Sequence, residues 1–409
     1  MGPKERGKTA LIITLLVGVL PATGRGVPAL ANMQTGAGLP GSAPPATSAE
    51  FDRISREANQ AREAERVAEA IPLYQQALRI RPSWDEGWWY LGTLLYSADR
   101  YSEALDSFRH LILTQPQKGA TWAMVGLCEV ELRDYERALG DLEEARALGL
   151  GENQTLSTVA RYNDAILLNR FEKFEQAYLV LYQFAVEPND DPSIIEAMGL
   201  NALRMPFLPS ELPPDKRELV LMAGRAAFAM ASRTEDGDKL FRELLARYPD
   251  TPNVHYAYGF FLAGEQPNAA LAEFRREIQI SSSHVAARLQ IAFEYIRRDD
   301  PQAALPFAEE AVRIAPNSAR GRYLLGRALL DSGQSQRAIG ELERSLKLAP
   351  ESPEVHFALS RAYARMGRKK DAARERVEFS RLDRLERAQR EGPQAVGGLK
   401  RNPEPTSPK

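Results

Sequence analysis

Two short stretches carry the spacing of nucleotide chemistry. Gly2-Pro3-Lys4-Glu5-Arg6-Gly7-Lys8-Thr9 fits G-x-x-x-x-G-K-[ST], a loop whose backbone N–H groups cradle phosphates. That loop works between a strand that delivers it and a helix that receives the phosphates. No strand is readable before Gly2, and the segment after it reads as an export sequence. Gly36-Ala37-Gly38-Leu39-Pro40-Gly41 fits the dinucleotide pattern G-x-G-x-x-G, which must open a helix. Pro40, Pro44 and Pro45 prevent that helix. Both matches are set aside as accidental.

Hydrolytic chemistry finds no better footing. The histidines His110, His255, His284 and His356 are scattered, and none belongs to H-E-x-x-H. There is no G-x-S-x-G elbow. Cys128 is the only cysteine, so no internal disulfide can form, and its apolar neighbours suit a buried, inert thiol. The acidic residues fall on predicted solvent faces. No catalytic residue, cofactor or metal is expected, and recognition rather than bond-making is the expected chemistry.

The elements that would carry recognition follow from composition and periodicity. The formal net charge is −2, which argues against a general nucleic-acid binder. Lys4, Arg6 and Lys8 precede an apolar run from Ala10 to Leu20, and Ala29-Leu30-Ala31 offers small residues for cleavage. This order reads as a signal peptide over 1–31. The apolar run is about half the roughly 20 residues that span a bilayer, so stable membrane insertion after cleavage is not expected. An uncleaved anchor is the alternative. The expected location is periplasmic or secreted. A flexible Gly/Pro/Ala/Ser/Thr linker is expected at 32–50 and a disordered, proline-rich tail at 392–409.

The body between them repeats. Ala70, Ala104 and Ala138 lie 34 residues apart, as do Ala304, Ala338 and Ala372. Trp88 leads to Leu91-Gly92, Ala104, Phe108 and Pro116; Trp122 leads to Val125-Gly126, Ala138 and Leu142; Leu325-Gly326 leads to Ala338, Leu342 and Pro350. Glycine inside a helix costs about 1 kcal/mol relative to alanine. A close approach of two helices would offset that cost, with Ala104, Ala138 and Ala338 as the small partners. Pro82, Pro116, Pro316 and Pro350 stop the second helices.

These landmarks resemble the tetratricopeptide repeat, W-x₂-L-G-x₂-Y…A-x₃-F…P. The resemblance implies an all-α, right-handed superhelical solenoid of tandem helix-turn-helix units. The expected organisation is an N-terminal array at 51–187, a diverged repeat with a proline-rich insertion at 188–217, and a C-terminal array at 218–391. The insertion, Met205 to Lys216, interrupts the unit that begins near Ile194. A unit starting near Pro252 is about one residue short between its helices. A charged helix from about Val377 to Arg390 is expected to cap the array, with Phe379, Leu382 and Leu385 covering the last repeat.

The resemblance also implies a groove lined by first helices, holding a peptide or helix of a partner protein. Helical spacing places Trp89 and Tyr96 there in one unit, Tyr256 and Phe260 in another, then Phe293, Arg320, Tyr323, Arg327, Phe357, Arg361 and Arg365. Aromatics and arginine are the usual binding hot spots. The four arginines would make the C-terminal groove positive and suited to an acidic segment or a free carboxylate. The Lys and Asn of the family's two-carboxylate clamp are not matched by Trp89 and Thr93 or by Ala123 and Leu127, so that specificity is not expected. The expected function is a non-catalytic exported scaffold. The alternative is an accessory subunit that docks a hydrolase or an envelope assembly machine.

Overall fold

The computed structural model describes residues 46–186, 191–234 and 236–391. The expected signal peptide at 1–31 and the tail at 392–409 lie outside the described residues. The described residues form nineteen α-helices and no strand. They divide into two compact units, the first ending at Ser232 and the second beginning at Arg233.

The first unit is a series of hairpins. The pairs are α1 (Ala46–Glu63) with α2 (Val67–Ile80), α3 (Asp85–Ser97) with α4 (Tyr101–Thr114), and α5 (Gly119–Glu131) with α6 (Tyr135–Leu148). They continue as α7 (Gln154–Arg170) with α8 (Phe174–Val186), and α9 (Pro192–Ala202) with α10 (Arg217–Ala231). The second unit opens with α11 (Gly237–Arg247). Its hairpins are α12 (Val254–Leu262) with α13 (Pro267–Ile280), α14 (Val285–Arg297) with α15 (Pro301–Ile314), α16 (Ala319–Asp331) with α17 (Ser335–Leu348), and α18 (Pro353–Arg365) with α19 (Lys369–Glu391).

Three expectations change. Helix α1 begins at Ala46, inside the stretch expected to be a linker. The proline-rich segment holds two short 3₁₀ turns, Pro209–Glu211 and Pro214–Lys216, and joins α9 to α10 as partners, so α10 belongs to the first unit rather than opening the C-terminal array. The second helix of the last repeat and the expected cap are one continuous helix, α19, because no proline or glycine separates Lys369 from Glu391.

The landmark glycines sit where two helices meet. A Cβ on Gly92 would lie 2.7 Å from the Phe108 ring, on Gly126 2.7 Å from Leu142, on Gly259 2.8 Å from Phe274, and on Gly326 2.6 Å from Leu342. The side chain pressed on each glycine is therefore the large residue four positions after the landmark alanine. The alanine contributes its carbonyl as a further neighbour: Ala138 O would lie 3.2 Å from a Cβ on Gly126 and Ala338 O 3.4 Å from one on Gly326. Phe108, Leu142 and Leu342 are fully buried, and burial of such a side chain contributes about 1.5–3 kcal/mol.

The turn inside each hairpin is made the same way. Asp99, Arg133 and Gly333 have left-handed φ values of 57°, 63° and 82°. Each reverses the chain after a first helix, and the next residue's N–H returns to the helix: Arg100 to Leu95 O at 2.9 Å, Asp134 to Glu129 O at 2.9 Å, Gln334 to Leu329 O at 2.8 Å. This is the pattern that satisfies last-turn carbonyls.

The turn between hairpins carries a second recurring contact. A side-chain N–H donates to the carbonyl six residues before it: Trp88 to Pro82 O at 2.8 Å, Trp122 to Pro116 O at 2.8 Å, Arg288 to Ser282 O at 2.7 Å and Arg322 to Pro316 O at 2.7 Å. The ring Nε2 atoms of His255 and His356 lie 2.9 Å from Pro249 O and 3.1 Å from Pro350 O in the same way. Two of the four histidines are thus accounted for by the linker. His284 Nδ1 accepts from Ala287 N at 3.0 Å as a helix cap, and the His110 ring lies 4.4 Å from that of Trp88.

Candidate peptide-binding surface

The first helices of the second unit present one position in register. Phe260, Phe293, Arg327 and Arg361 each follow, by one residue, a glycine or the residue in the glycine's place, at intervals of 33, 34 and 34 residues. One helical turn further on lies a second row, Gly264, Arg297, Asp331 and Arg365. On α14, α16 and α18 residues four apart are neighbours, and Gly264 lies in the turn just after α12, so the two rows form one strip.

Charge on the strip is arranged around Asp331. Its Oδ2 lies 3.4 Å from Arg327 Nε on the same helix, and its Oδ1 accepts from Arg361 Nη2 at 3.2 Å across to the next hairpin. Arg327 Nη1 also donates to the Tyr323 hydroxyl at 3.2 Å. Burial opposes the charge on Arg327, but Tyr323 and Asp331 outweigh it and raise its pKa. Arg320 is exposed and reaches Gln290 Oε1 at 3.4 Å, and Arg365 donates to the Leu330 carbonyl. Neither has a carboxylate partner among the described residues, so both keep charge to offer a ligand.

The apolar end of the strip contains a notch of about 280 Å³, lined by Gly264, Leu271, Phe274, Phe293 and Arg297 among others. Its origin is a missing residue. Gly259 to Ala270 spans 11 residues, where Gly326 to Ala338 spans 12. Helix α12 has 9 residues against 13 in α14, α16 and α18. Gly264 adds no side chain at the position that Arg297 and Asp331 fill in later repeats. Phe293, 46% exposed, stands at the rim.

The structure sorts the other expected residues. Tyr96 and Tyr256 are corrections, because both are core. Tyr96 is 6% exposed with its ring 5.2 Å from Tyr101, and burial pushes its phenol pKa well up. It lies four residues after Gly92, at the position Leu330 buries in α16. Tyr256 is 4% exposed and is covered by Phe274 and His284 at 5.8 and 4.9 Å. Trp89 is half-buried with its ring on Phe108 at 5.6 Å, and belongs to the first unit. Phe260 is half-buried against Phe261 at 5.5 Å. Phe357 is exposed but shares a face with Phe379 of α19 at 5.2 Å. Leu382 is buried on that side, while Leu385 remains half-exposed. Asp331, Gln290 and the notch escaped sequence reasoning. The i, i+4 spacing of Arg327 and Asp331 was a readable signal for one of them.

The repeat geometry is matched by comparison with known families. Models described as tetratricopeptide repeat match residues 55–120 and 323–375, 295–346, and 218–251. The chain is a tetratricopeptide-repeat protein. Repeats of this family form protein-binding scaffolds, and this chain shares that architecture. No curated protein matches it. Among solved structures, it is similar to MamA residues 41–end from Desulfovibrio magneticus RS-1, at 23% identity over 42% of this chain and 98% of that chain, with a TM-score of 0.38. It is also similar to MamA AMB-1, at 19% identity over 40% and 98%, TM-score 0.36. A third match is YrrB, described as a TPR protein with an unusual peptide-binding site, at 14% identity over 40% and 86%, TM-score 0.36. No helix among the described residues is long and apolar enough to cross a membrane.

Proposed function

We propose that this tetratricopeptide-repeat protein is a non-catalytic scaffold whose second unit captures an extended acidic segment of a partner protein. The observation that carries the reading is the strip itself, two phenylalanines followed by two arginines at one repeat position. An apolar side chain of the ligand enters the notch beside Phe293. Its carboxylates meet Arg320, Arg361 and Arg365, where Asp331 leaves positive charge in excess. Charge complementarity of this kind sets specificity and on-rate, and salt weakens it over a Debye length of about 8 Å.

The test is fluorescence anisotropy with a labelled peptide that alternates Asp and Glu around one Phe. Arg327→Glu with Arg361→Glu should weaken binding at least about tenfold, or ~1.4 kcal/mol. Phe293→Ala should weaken it for the Phe-bearing peptide and not for one with Ala in that place. Equal binding by the double variant, with its helix content intact, sinks the proposal.

Export to the periplasm or the outside is part of the same reading. It is supported by the charged start, the apolar run Ala10 to Leu20 and the small residues at Ala29-Leu30-Ala31. N-terminal sequencing of the protein recovered from cells tests it: a mature start near Asn32 supports processing, and a retained Met1 in the cytoplasm rejects it.

A further inference from the structure

The first unit holds a larger notch, of about 730 Å³, between the second helices α4 and α6 and floored by α5. This volume is in the range of small-ligand sites. Ile112, Leu113 and Trp122 supply apolar walls. Leu113 is 84% exposed, more than any other large apolar side chain among the described residues.

The floor is acidic and incompletely paired. Glu129 is 1% exposed, and its Oε1 accepts from Arg109 Nη2 at 2.8 Å. Its Oε2 is buried and has no hydrogen-bond donor. A buried acceptor left in that state costs free energy, and native structures usually have a reason for one. The other polar neighbour of Glu129 is the Asp141 carboxyl. Burial and then the nearby Asp141 push the Glu129 pKa up to about 7, against Arg109, and burial raises that of Asp141.

Counting charge around the floor gives the ligand. On α6, Arg137 is held by Asp134 at 3.4 Å. On α4, Asp106 is exposed and His110 lies against Trp88. Arg109 is the guanidinium bonded to Glu129, while Asp141 feels Arg109 and Arg137 through space only. The floor thus holds two carboxyls with one guanidinium bonded to Glu129, and Glu129 Oε2 is left without a donor. No group of three or more His, Cys, Asp or Glu among the described residues could hold a metal ion, so an organic cation is the fit. Converging oxygens from two carboxyls suit a compact ammonium with three donors, whereas a guanidinium fork matches a single carboxylate.

We propose that this notch binds the ammonium of a lysine side chain on a partner segment, its carbon stem lying over Leu113 and its charge on the Glu129–Asp141 pair. On binding, the proton held at Glu129 leaves to the buffer, and two carboxylates then face two cations. The site is separate from the strip of the second unit and takes a ligand of opposite charge.

The experiment uses the full chain and a labelled peptide with one lysine flanked by leucines, beside the same peptide with Nε-acetyl-lysine. The lysine peptide should bind at least tenfold more tightly than the acetylated one. Glu129→Gln with Asp141→Asn should abolish the difference, and Arg327→Glu with Arg361→Glu should leave it intact. Calorimetry at pH 6 in two buffers of different ionisation enthalpy should show release of up to one proton, which a merely structural role for Glu129 would not produce. If the double variant loses helix content, Asp141→Asn alone replaces it, since Asp141 is only half-buried. Equal binding of the two peptides, or undiminished binding by the folded variant, overturns the assignment.

Discussion

Replacing Gly224 by alanine should destabilise the first unit, although helix propensity alone argues the opposite. Alanine is favoured over glycine inside a helix by about 1 kcal/mol. A Cβ on Gly224, however, would lie 1.9 Å from Ile195 O, and one on Gly199 would lie 2.0 Å from Val220 O. These two glycines face each other's helices, α9 and α10, so the obstruction on both sides is backbone rather than a side chain that could rotate away. An ordinary carbon–oxygen contact is about 3.3 Å, and the helices would have to part by roughly 3.3 − 1.9, or about 1.4 Å. Overpacking of this kind costs about 1–3 kcal/mol and at times more. The shift also loosens Ala197, Ala223 and Ala227, all buried at the same crossing. We expect a net loss of about 2 kcal/mol for Gly224→Ala. The control is Gly340→Ala in α17, where no atom lies within 4 Å of the new methyl, and where a gain of up to about 1 kcal/mol is expected. Urea titrations followed by far-UV circular dichroism separate the two outcomes by opposite shifts of midpoint at constant slope. If Gly224→Ala matches or exceeds the native midpoint, close approach is not why glycine stands there.

Three further outcomes are expected. His255 Nδ1 lies 2.6 Å from Glu273 Oε2 and Nε2 2.9 Å from Pro249 O; burial opposes its charge, yet Glu273 and the carbonyl outweigh it and raise its pKa. With the folded value above the unfolded one, its stabilisation is complete below about pH 6.5 and fades as pH rises through the folded pKa, so the urea midpoint gap between native and His255→Gln proteins should narrow between acid and alkaline buffer. Glu277 is fully buried and accepts from Asn253 N at 2.9 Å and Tyr256 N at 3.1 Å, so Glu277→Ala should cost about 3 kcal/mol, with Glu277→Gln costing less, by the same titration. Cys128 is buried and its thiol is pushed well up, mainly by burial and then by Glu129, so iodoacetamide should label it only as fast as the protein unfolds; rapid labelling of the native chain would contradict the core placement.

The repeat was readable because its landmarks are residues with no substitute. Gly92, Gly126 and Gly326 stand where a methyl does not fit, and Ala104, Ala138 and Ala338 are fully buried. Other repeating features were hidden because several residue types can perform them. The left-handed turn is made by Glu65, Asp99 and Arg133 as well as by Gly333 and Gly367, so no common letter marks it. The linker bond is donated by Trp88, Arg288 or Arg322, which share only an N–H. The surface was half legible. Phe293, Arg327 and Arg361 fall in register, but Tyr256 and Tyr323 stand at one repeat position with different fates. Tyr256 is closed over by His284, while Tyr323 stays half-exposed and bonds Arg327. Only the neighbouring hairpin decides that. The missing residue near Pro252 was readable as a shortage, but not as the notch it leaves at Gly264.

The linker bonds have a consequence for how such a chain can be rearranged. Each joins a carbonyl to a side chain six residues later, so this bond across the turn between two hairpins lies within one short segment. A hairpin moved together with the linker before it would bring its own joint. Any neighbour with a long N–H-bearing side chain could replace the donor, as tryptophan, histidine and arginine already do along this chain. The repeats behave in this respect as interchangeable parts with a standard coupling. Duplication or exchange of hairpins would then change which residues are displayed without redesigning how the pieces are joined.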